Sequence, residues 1–411
     1  MPLVRDQALE ETYDTGVSLA LSRSAALINA GVFADLIPRI EAQVRRGVDL
    51  IGLHIGDSNR APPANARYGN LESHASFDVG LYRYGDVSGL DGLKEAFSLR
   101  LAASGYGPPV VEPKVVLVGC GGTHALFCAS RAILDAGDEV LVATPYWPLA
   151  PGVLRAAGAV PVEVPLTHRL YADPTLNPES LFGEAVTDKT RALYLATPNN
   201  PDAKVLTAGQ LARLAHFART RNLWIFADEV YCDYVYEGVH TSIARFEDVA
   251  DRTISIYSLS KSRALAGARV GFAVASERVI SVARRIAVHT VFHPTVAAQH
   301  LALAALREPS SWIDDARSEY RVARDAAVGA LTKAGVTLNV PEGGSYVFMD
   351  FQQLLGRRSL KDLLEAAIDA GVLLAPGDGF GRDFASWARL CFTGVPPDRL
   401  LEGVSRLVRV L

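Results

Sequence analysis

Lys261 is the residue of this sequence whose neighbours most strongly indicate chemistry. It directly follows Ser258-Leu259-Ser260 and stands eight residues before Arg269. A lysine with an accessible neutral amine can form a Schiff base with an aldehyde, and burial and nearby cations favour that neutral form. Serine hydroxyls and an arginine guanidinium can bind phosphate. A solvated loop lysine is the usual alternative, but this flanking pattern favours a lysine that holds a phosphorylated aldehyde.

Four further residues could contact such a compound. Asp228 ends an apolar run, where a carboxylate is costly unless it has a partner such as a protonated ring nitrogen. Tyr231 and Asn200 could hydrogen-bond a phenolic oxygen of the ring, and Trp147 offers a flat face for stacking. The alternatives are a helix cap or salt bridge for Asp228, a turn for Asn200, and core packing for the two aromatic residues.

Anion-binding groups occur at two other places. Gly121-Gly122-Thr123 lies between a predicted strand and a predicted helix, where backbone N–H groups can approach a phosphate closely. Arg389 lies in the strand-like stretch 387–392, and its fork matches a substrate α-carboxylate. A tight turn is the alternative for the glycines, and a pairing with a neighbouring acid is the alternative for Arg389.

Composition limits the class of protein. The chain has 411 residues, of which 49% are hydrophobic and 21% charged, and its formal net charge is −4. This balance is ordinary for a soluble globular protein and argues against nucleic acid or an anionic membrane as partner. The four cysteines have no metal-ligand spacing, so we expect reduced packing residues and no metal. The N-terminus does not resemble a signal peptide, and no run reaches the roughly 20 apolar residues of a membrane span. We therefore expect a cytoplasmic protein.

The middle of the chain alternates apolar strand-like runs with helical patterns. Strands that are apolar throughout belong to a parallel sheet covered by helices on both faces, so we predict an α/β fold with a mostly parallel sheet. The predicted strands are 115–118, 139–143, 160–164, 192–196, 223–227, 253–257 and 269–275, and the predicted helices between them lie near 123–135, 148–157 and 207–221.

The C-terminal part predicts a smaller α+β domain. A helical pattern covers about 296–334 with a break near Pro309, and an amphipathic stretch, 33–47, precedes the large domain. We predict an N-terminal segment 1–50 that packs with the small domain, a large domain 51–300 and a small domain 301–411. Further strands are predicted at 345–351, 371–375 and 387–392, and further helices near 359–370 and 397–410.

In this order, the motifs resemble the class I/II aminotransferases, a family of fold type I pyridoxal-phosphate enzymes. The likeness runs from about Ile55 to the C-terminus. The motifs that carry it are G-G-T, P-Y-W, N-N-P, D-E-V-Y, S-L-S-K, A-G-A-R-V-G and W-A-R-L.

The resemblance implies a role for each residue and pyridoxal 5'-phosphate as the cofactor. Lys261 resembles the Schiff-base lysine and proton shuttle, Asp228 the partner of the pyridine nitrogen, and Arg389 the clamp on the substrate carboxylate. Asn200 and Tyr231 resemble the donors to the phenolic oxygen. Trp147 resembles the stacking ring, and Gly56 the loop that closes over substrate. The phosphate group is expected to contact Gly121, Gly122, Thr123, Ser258, Ser260 and Arg269.

Tyr84, five residues before Gly89, resembles the tyrosine that reaches the phosphate of the neighbouring subunit. This likeness implies a homodimer with shared active sites.

Several positions depart from the family pattern and bear on the substrate. Ser262-Arg263-Ala264 follows the lysine where an aromatic or small residue is usual at the middle position, and Ala203 replaces a common glycine. His124, His289, His293 and Pro294 are also unusual. The residues that could line a substrate pocket or be solvated are Arg60, Arg263, His54, His124, His289 and His293.

The sequence therefore predicts an aminotransferase that moves an amino group between an L-amino acid and a 2-oxo acid through a Schiff base on Lys261. A lyase, cyclase or oxidase that uses the same cofactor is the alternative, because one scaffold supports several outcomes. A non-catalytic ligand-sensing domain is a more distant one, because no basic recognition helix precedes Gly52.

Overall fold

A computed structural model describes residues 22, 25–28, 31–71, 79–108 and 111–411. The strands in these ranges are β1 (Ile51–Gly52), β2 (Val116–Cys120), β3 (Glu139–Thr144), β4 (Val160–Pro165), β5 (Thr190–Ala196), β6 (Trp224–Asp228), β7 (Thr253–Ser258), β8 (Val270–Val274), β9 (Thr337–Leu338), β10 (Tyr346–Asp350), β11 (Val372–Leu373), β12 (Ala375–Pro376) and β13 (Trp387–Cys391).

The α-helices of the same ranges alternate with these strands. They are α1 (Ile37–Arg45), α2 (Asp91–Ala103), α3 (Gly121–Ile133), α4 (Ala150–Ala156), α5 (Thr167–Ala172), α6 (Pro178–Glu184), α7 (Ala208–Thr220), α8 (Leu259–Ser262), α9 (Glu277–Thr290), α10 (Val296–Arg307), α11 (Ser311–Lys333), α12 (Gln352–Leu355), α13 (Leu360–Asp369) and α14 (Pro397–Val408).

A seven-stranded sheet forms the centre of the large part of the molecule, in the order β2-β8-β7-β6-β5-β3-β4. Five adjacent strands, β7, β6, β5, β3 and β4, run parallel to one another. Strand β8 is antiparallel to both β2 and β7. The predicted mostly parallel sheet is therefore confirmed. The carboxyl ends of the parallel strands meet at one edge, where ligands of such sheets usually bind.

Both faces of the inner strands of this sheet are buried, which explains why those strands are apolar throughout. In β5, Ala192 and Tyr194 join a cluster with α3, α4 and α9, while Leu193 and Leu195 join a second cluster with α6 and α7. Alternate residues of a strand point to opposite faces, so each face needs its own apolar set.

A four-stranded antiparallel sheet, β12-β13-β10-β9, forms the second layer, and β1 pairs in parallel with β11. Helix α1 packs against α13, and Arg39 forms an ion pair with Asp369 there. These contacts agree with an N-terminal segment that joins the C-terminal part. The division of the chain at 50 and 300 remains a prediction.

Several local predictions are corrected. The amphipathic stretch 33–47 contains a 3₁₀ turn, Ala34–Leu36, followed by the α-helix Ile37–Arg45. The predicted strand 371–375 is two short strands, β11 and β12, which belong to different sheets. The helices that were not predicted are α2, α5, α6, α8, α9 and α12. The break near Pro309 is confirmed, since α10 ends at Arg307 and α11 begins at Ser311.

Cys120, Cys128, Cys232 and Cys391 are all unpaired, and the last three are buried, as expected of packing residues. Among the described residues, no helix has the length and apolar character needed to cross a membrane.

Candidate active site

A cavity of about 280 Å³ lies at the carboxyl edge of the large sheet. All the predicted site residues except Gly121 and Tyr84 line it. These residues are Gly56, Gly122, Thr123, Trp147, Asn200, Asp228, Tyr231, Ser258, Ser260, Lys261, Arg269 and Arg389. The structure thus brings together side chains that are up to 333 positions apart in the sequence, from 56 to 389.

Lys261 enters the cavity from the short helix α8, which begins directly after β7. The Ser258 side chain caps this helix by accepting a hydrogen bond from the Ser260 backbone N–H (3.1 Å), and it donates to the Ser260 hydroxyl (2.9 Å). The Lys261 amine donates to the carbonyl oxygen of Gly56. The amine therefore reaches across the cavity towards the loop after β1.

Asp228 is the last residue of β6, and its side chain is partly buried and lines the cavity. It accepts hydrogen bonds from the Tyr194 hydroxyl (2.6 Å) and from the Val230 backbone N–H (3.2 Å). Burial raises the pKa of this carboxyl above its ordinary value. A cation placed against it would offset that cost, so the site favours a positively charged partner.

The start of helix α3 forms an anion-binding corner. The Cys120 side chain before this helix makes no capping hydrogen bond, and Gly122 and Thr123 of its first turn line the cavity. The free N–H groups of a helix start attract anions. Gly121 has φ +79°, and a Cβ there would lie 2.5 Å from Nη2 of Arg269. Arg269 is itself in the left-handed region, with φ 55° and ψ 54°. Such strain in a non-glycine residue is typical of functional sites.

Arg389 is buried at the opposite side of the cavity, with 6% of its surface exposed. Its Nη1 donates to Oδ1 of Asn200 (2.8 Å) and its Nη2 to the carbonyl oxygen of His54 (2.7 Å). The rings of Tyr346 and Phe380 lie 4.2 Å and 5.0 Å from its guanidinium carbon. Its buried Nε has no partner among the described residues, so the guanidinium keeps a donor for a ligand.

Two tyrosines of the site were missed by sequence reasoning. Tyr194 donates to Asp228 from the neighbouring strand, and Tyr346 lines the cavity and hydrogen-bonds Tyr231 through their hydroxyls (2.6 Å). Burial and the neighbouring Tyr346 raise the pKa of Tyr231. Tyr194 stands out as the residue with a polar end in an apolar strand, and this signal could have identified it. Nothing in the sequence marks Tyr346.

None of the six basic residues left open as pocket residues lines this cavity. His124 is held by the Cys120 N–H and the Thr290 hydroxyl, and both ring nitrogens of His293 are bonded, to Gly85 and Pro294. His289 bonds the carbonyl oxygen of Arg285. Arg60 forms an ion pair with Glu319.

The half-buried His54 and the buried Arg263 lie outside the cavity lining. Burial, together with the nearby Arg389, lowers the pKa of His54 to about 4. Arg263 instead lines a second cavity. Elsewhere, the part of the chain that the structure describes contains no cluster of His, Cys, Asp or Glu placed to hold a metal ion.

The chain belongs to the family of class I and II aminotransferases, whose sequence model matches residues 48–407. The sequence is 32% identical, over 376 residues, to a probable aspartate/prephenate aminotransferase of Aquifex aeolicus, covering 89% of this chain and 92% of that protein. The predicted class of enzyme, a pyridoxal-phosphate-dependent aminotransferase, is thereby confirmed.

Solved structures give the same result. An aspartate aminotransferase of Thermus thermophilus, a single mutant, superposes with a TM-score of 0.87 at 29% identity, covering 96% of this chain and 100% of that one. An aromatic aminotransferase of Pyrococcus horikoshii superposes with a TM-score of 0.81 at 29% identity, covering 90% and 98%. The predicted fold type is confirmed.

The family generally uses pyridoxal phosphate, and the residues present fit that group. The uncapped helix start with Ser258, Ser260 and Arg269 suits a phosphate. The Asp228 carboxylate suits a protonated pyridine nitrogen, and Lys261 lines the same cavity as both of these features.

Proposed function

We propose that this chain transfers the amino group of an L-amino acid to a 2-oxo acid with pyridoxal 5'-phosphate held on Lys261. The convergence of Lys261, Asp228 and Arg389 on one cavity carries this proposal. When bound, the cofactor supplies an aldehyde carbon for the amino nitrogen and a ring that accepts the electron pair left on the substrate Cα.

The proposed task of Lys261 is proton movement at the substrate Cα. Its amine projects across the cavity to the carbonyl oxygen of Gly56, so it reaches the space above the sheet edge. In this role Nζ removes the α-proton as a general base and returns a proton as a general acid.

Asp228, Asn200 and Tyr231 are proposed to orient the ring, and Trp147 to stack on it. The Asp228 carboxylate would keep the ring nitrogen protonated, which makes the ring a better electron acceptor. Tyr194 supports this role by fixing one carboxylate oxygen, which leaves the charge oriented towards the cavity. The phosphate would lie on Gly121, Gly122, Thr123, Ser258, Ser260 and Arg269.

Arg389 is proposed to bind the substrate α-carboxylate, next to the Gly56 loop. Asn200 and the carbonyl oxygen of His54 fix two of its nitrogens, and the flanking Tyr346 and Phe380 rings limit its rotation. Preorganisation of this kind reduces the side-chain entropy lost when the carboxylate binds. His54, with its lowered pKa, stays neutral beside it and does not compete for the carboxylate.

For the substrate side chain we propose a neutral group. The cations that line the described cavity are Lys261, Arg269 and Arg389, and each already has a proposed task. The apolar Leu126 and Leu149 also line the cavity. An acidic side chain would therefore be desolvated without a cation among the described residues. The similarity to an aromatic aminotransferase supports a neutral donor, whereas the names of the aspartate relatives favour an acidic one.

A panel of single amino acids added to the purified holoenzyme without any oxo acid tests both proposals. The absorbance of the bound cofactor should change with an aromatic or aliphatic amino acid, at lower concentrations than with aspartate or glutamate. If no amino acid changes it, the transamination proposal fails. A preference for aspartate would refute only the neutral side chain, and would indicate a cation supplied by a partner subunit.

We also propose a homodimer in which Tyr84 reaches the phosphate of the neighbouring subunit. Tyr84 is 85% exposed and packs edge-on against Phe292, which is 40% exposed, with the ring centres 5.0 Å apart. Tyr82, at 86% exposed, adds to this aromatic surface. Large exposed apolar groups in one place favour contact with another protein surface.

A further inference from the structure

A second cavity, of about 670 Å³, lies on the other side of the turn that carries Lys261. It shares no lining residue with the first cavity. Helix α2 contributes Arg100 and helix α11 contributes Ile313 and Arg317, while Leu306 comes from α10. Arg263, two residues after Lys261, also lines it.

In the part of the chain that the structure describes, no residue forms a hydrogen bond with the buried Arg263 side chain. The side chain is 2% exposed, and its Nε and Nη1 atoms have no partner among the described residues. The Trp312 ring lies 6.0 Å from its guanidinium carbon and provides no acceptor oxygen. An arginine keeps its charge in a protein, and a buried cation without acceptors is strongly unfavourable. Acceptor atoms are therefore missing at this position.

Asp233, an acid whose charge acts on Arg263, is already engaged. Asp233 forms an ion pair with Arg100 and accepts a hydrogen bond from the Tyr106 hydroxyl (3.3 Å). Arg317 is paired with Asp314 (3.2 Å). At the rim, Glu308 accepts from the Asn65 side chain. The two acid–arginine pairs are neutral, whereas Glu308 and the exposed Glu95, which also line the cavity, keep their charges. No acid among the described residues bonds the Arg263 guanidinium.

The position also departs from the family pattern, in which an aromatic or small residue is usual two places after the lysine. An apolar side chain would fill this space without an electrostatic cost. An arginine in its place needs an acceptor, and the cavity beside it is large enough for one to enter.

We propose that this second cavity binds a small oxyanion, a carboxylate or phosphate compound, on the Arg263 guanidinium. The planar fork of an arginine matches both kinds of group through paired N–H donors. The Ser104 and Ser310 side chains line the same cavity and could contact other polar atoms of the ligand.

The test measures anion binding when the active site cannot contribute. The protein is the holoenzyme with its cofactor reduced onto the chain by borohydride and with Arg389→Ala, so the phosphate corner is filled and the carboxylate site is removed. Citrate and inorganic phosphate are titrated separately by calorimetry into this parent protein. The same titrations are run on the parent with Arg263→Met, with Arg263→Lys and with the control Arg213→Met.

The parent should bind at least one of the two anions, and Arg263→Met should weaken that binding about tenfold or more. Arg263→Lys keeps the charge but lacks the planar fork, so its anion affinity should lie between those of the parent and of Arg263→Met. Arg213 is an exposed residue of α7, so its variant should match the parent. Binding of citrate alone would identify a carboxylate ligand, and binding of phosphate alone a phosphate ligand. Absence of binding in the parent, or equal binding in the Arg263 variants, would overturn the proposal.

Discussion

At the scale of single residues, the proposed role of the negative charge on Asp228 can be tested by removing that charge alone. We predict that Asp228→Asn lowers the rate of the amino-acid half-reaction about 100-fold or more, because the amide keeps the shape but loses the charge. Single-turnover absorbance measurements give this rate. Tyr194→Phe is the matched control, since it removes one hydrogen bond and leaves the charge, and its effect should be much smaller. A rate for Asp228→Asn close to that of the wild type would refute the assigned role.

The lowered pKa of His54 predicts how the free energy of unfolding depends on pH. Its folded pKa, about 4, lies below the ordinary 6.5, so the unfolded chain binds the proton more tightly. Stability must therefore fall as the pH drops from about 6.5 towards 4, by at most about 3 kcal/mol from this group. His54→Phe should flatten the curve of unfolding free energy against pH in that window. Denaturant titrations at several pH values measure it, and an unchanged slope would contradict the prediction.

At the scale of elements, the turn between β2 and α3 depends on a glycine. Gly121→Ala would place a Cβ at φ +79° and 2.5 Å from Arg269, so we predict a loss of about 1–2 kcal/mol in stability, together with weaker cofactor binding. Gly209→Ala is the matched control. Gly209 lies in the exposed first turn of α7 with open space around it, and alanine should stabilise that helix slightly.

Thermal unfolding with and without cofactor separates the two variants. If Gly121→Ala proved as stable as the Gly209→Ala control and bound cofactor equally well, the corner would not require glycine.

Among the helices and strands, only features that depend on local sequence could be predicted from the sequence alone. Apolar runs identified the strands of the large sheet because both of its faces are buried. The hydrogen bond from Tyr194 to Asp228 could not be predicted, because it requires β5 and β6 to be neighbours, and the order of strands is a property of the tertiary fold. Asp228 and Lys261 were identifiable from their local pattern. Tyr346 was not, because its role depends on the distant Tyr231 and Arg389.

Arg263 illustrates the same limit in another way. The sequence marked it as unusual but left it between a substrate pocket and solvent. In the structure Arg263 neither lines the substrate pocket nor is solvated. Its burial depends on α2 and α11, which come from distant parts of the chain, so the sequence could not reveal it.

At the scale of the whole molecule, mixing two inactive variants tests the shared active site. A Lys261→Ala chain retains Tyr84, and a Tyr84→Ala chain retains Lys261. If Tyr84 serves the neighbouring subunit, each mixed dimer contains one site with both native residues. Random exchange of subunits should then restore about a quarter of the wild-type activity.

The controls are each variant alone, which should show little activity, and a mixture that has not been allowed to exchange subunits. Mass measurement verifies that subunits have exchanged. If activity does not rise after that exchange, Tyr84 does not serve the neighbouring site.

The segment from Lys261 to Arg263 is only three residues long, yet its ends face two separate cavities. The Tyr234 hydroxyl binds the carbonyl oxygens of Lys261 and Ser262 (3.1 and 3.4 Å), which ties this segment to the packed interior. Free energies of binding are reciprocal. If a ligand in one cavity shifts this segment, an effector in the second cavity would change the affinity for vitamin B6 by a certain factor. Vitamin B6 would then change the affinity for the effector by the same factor.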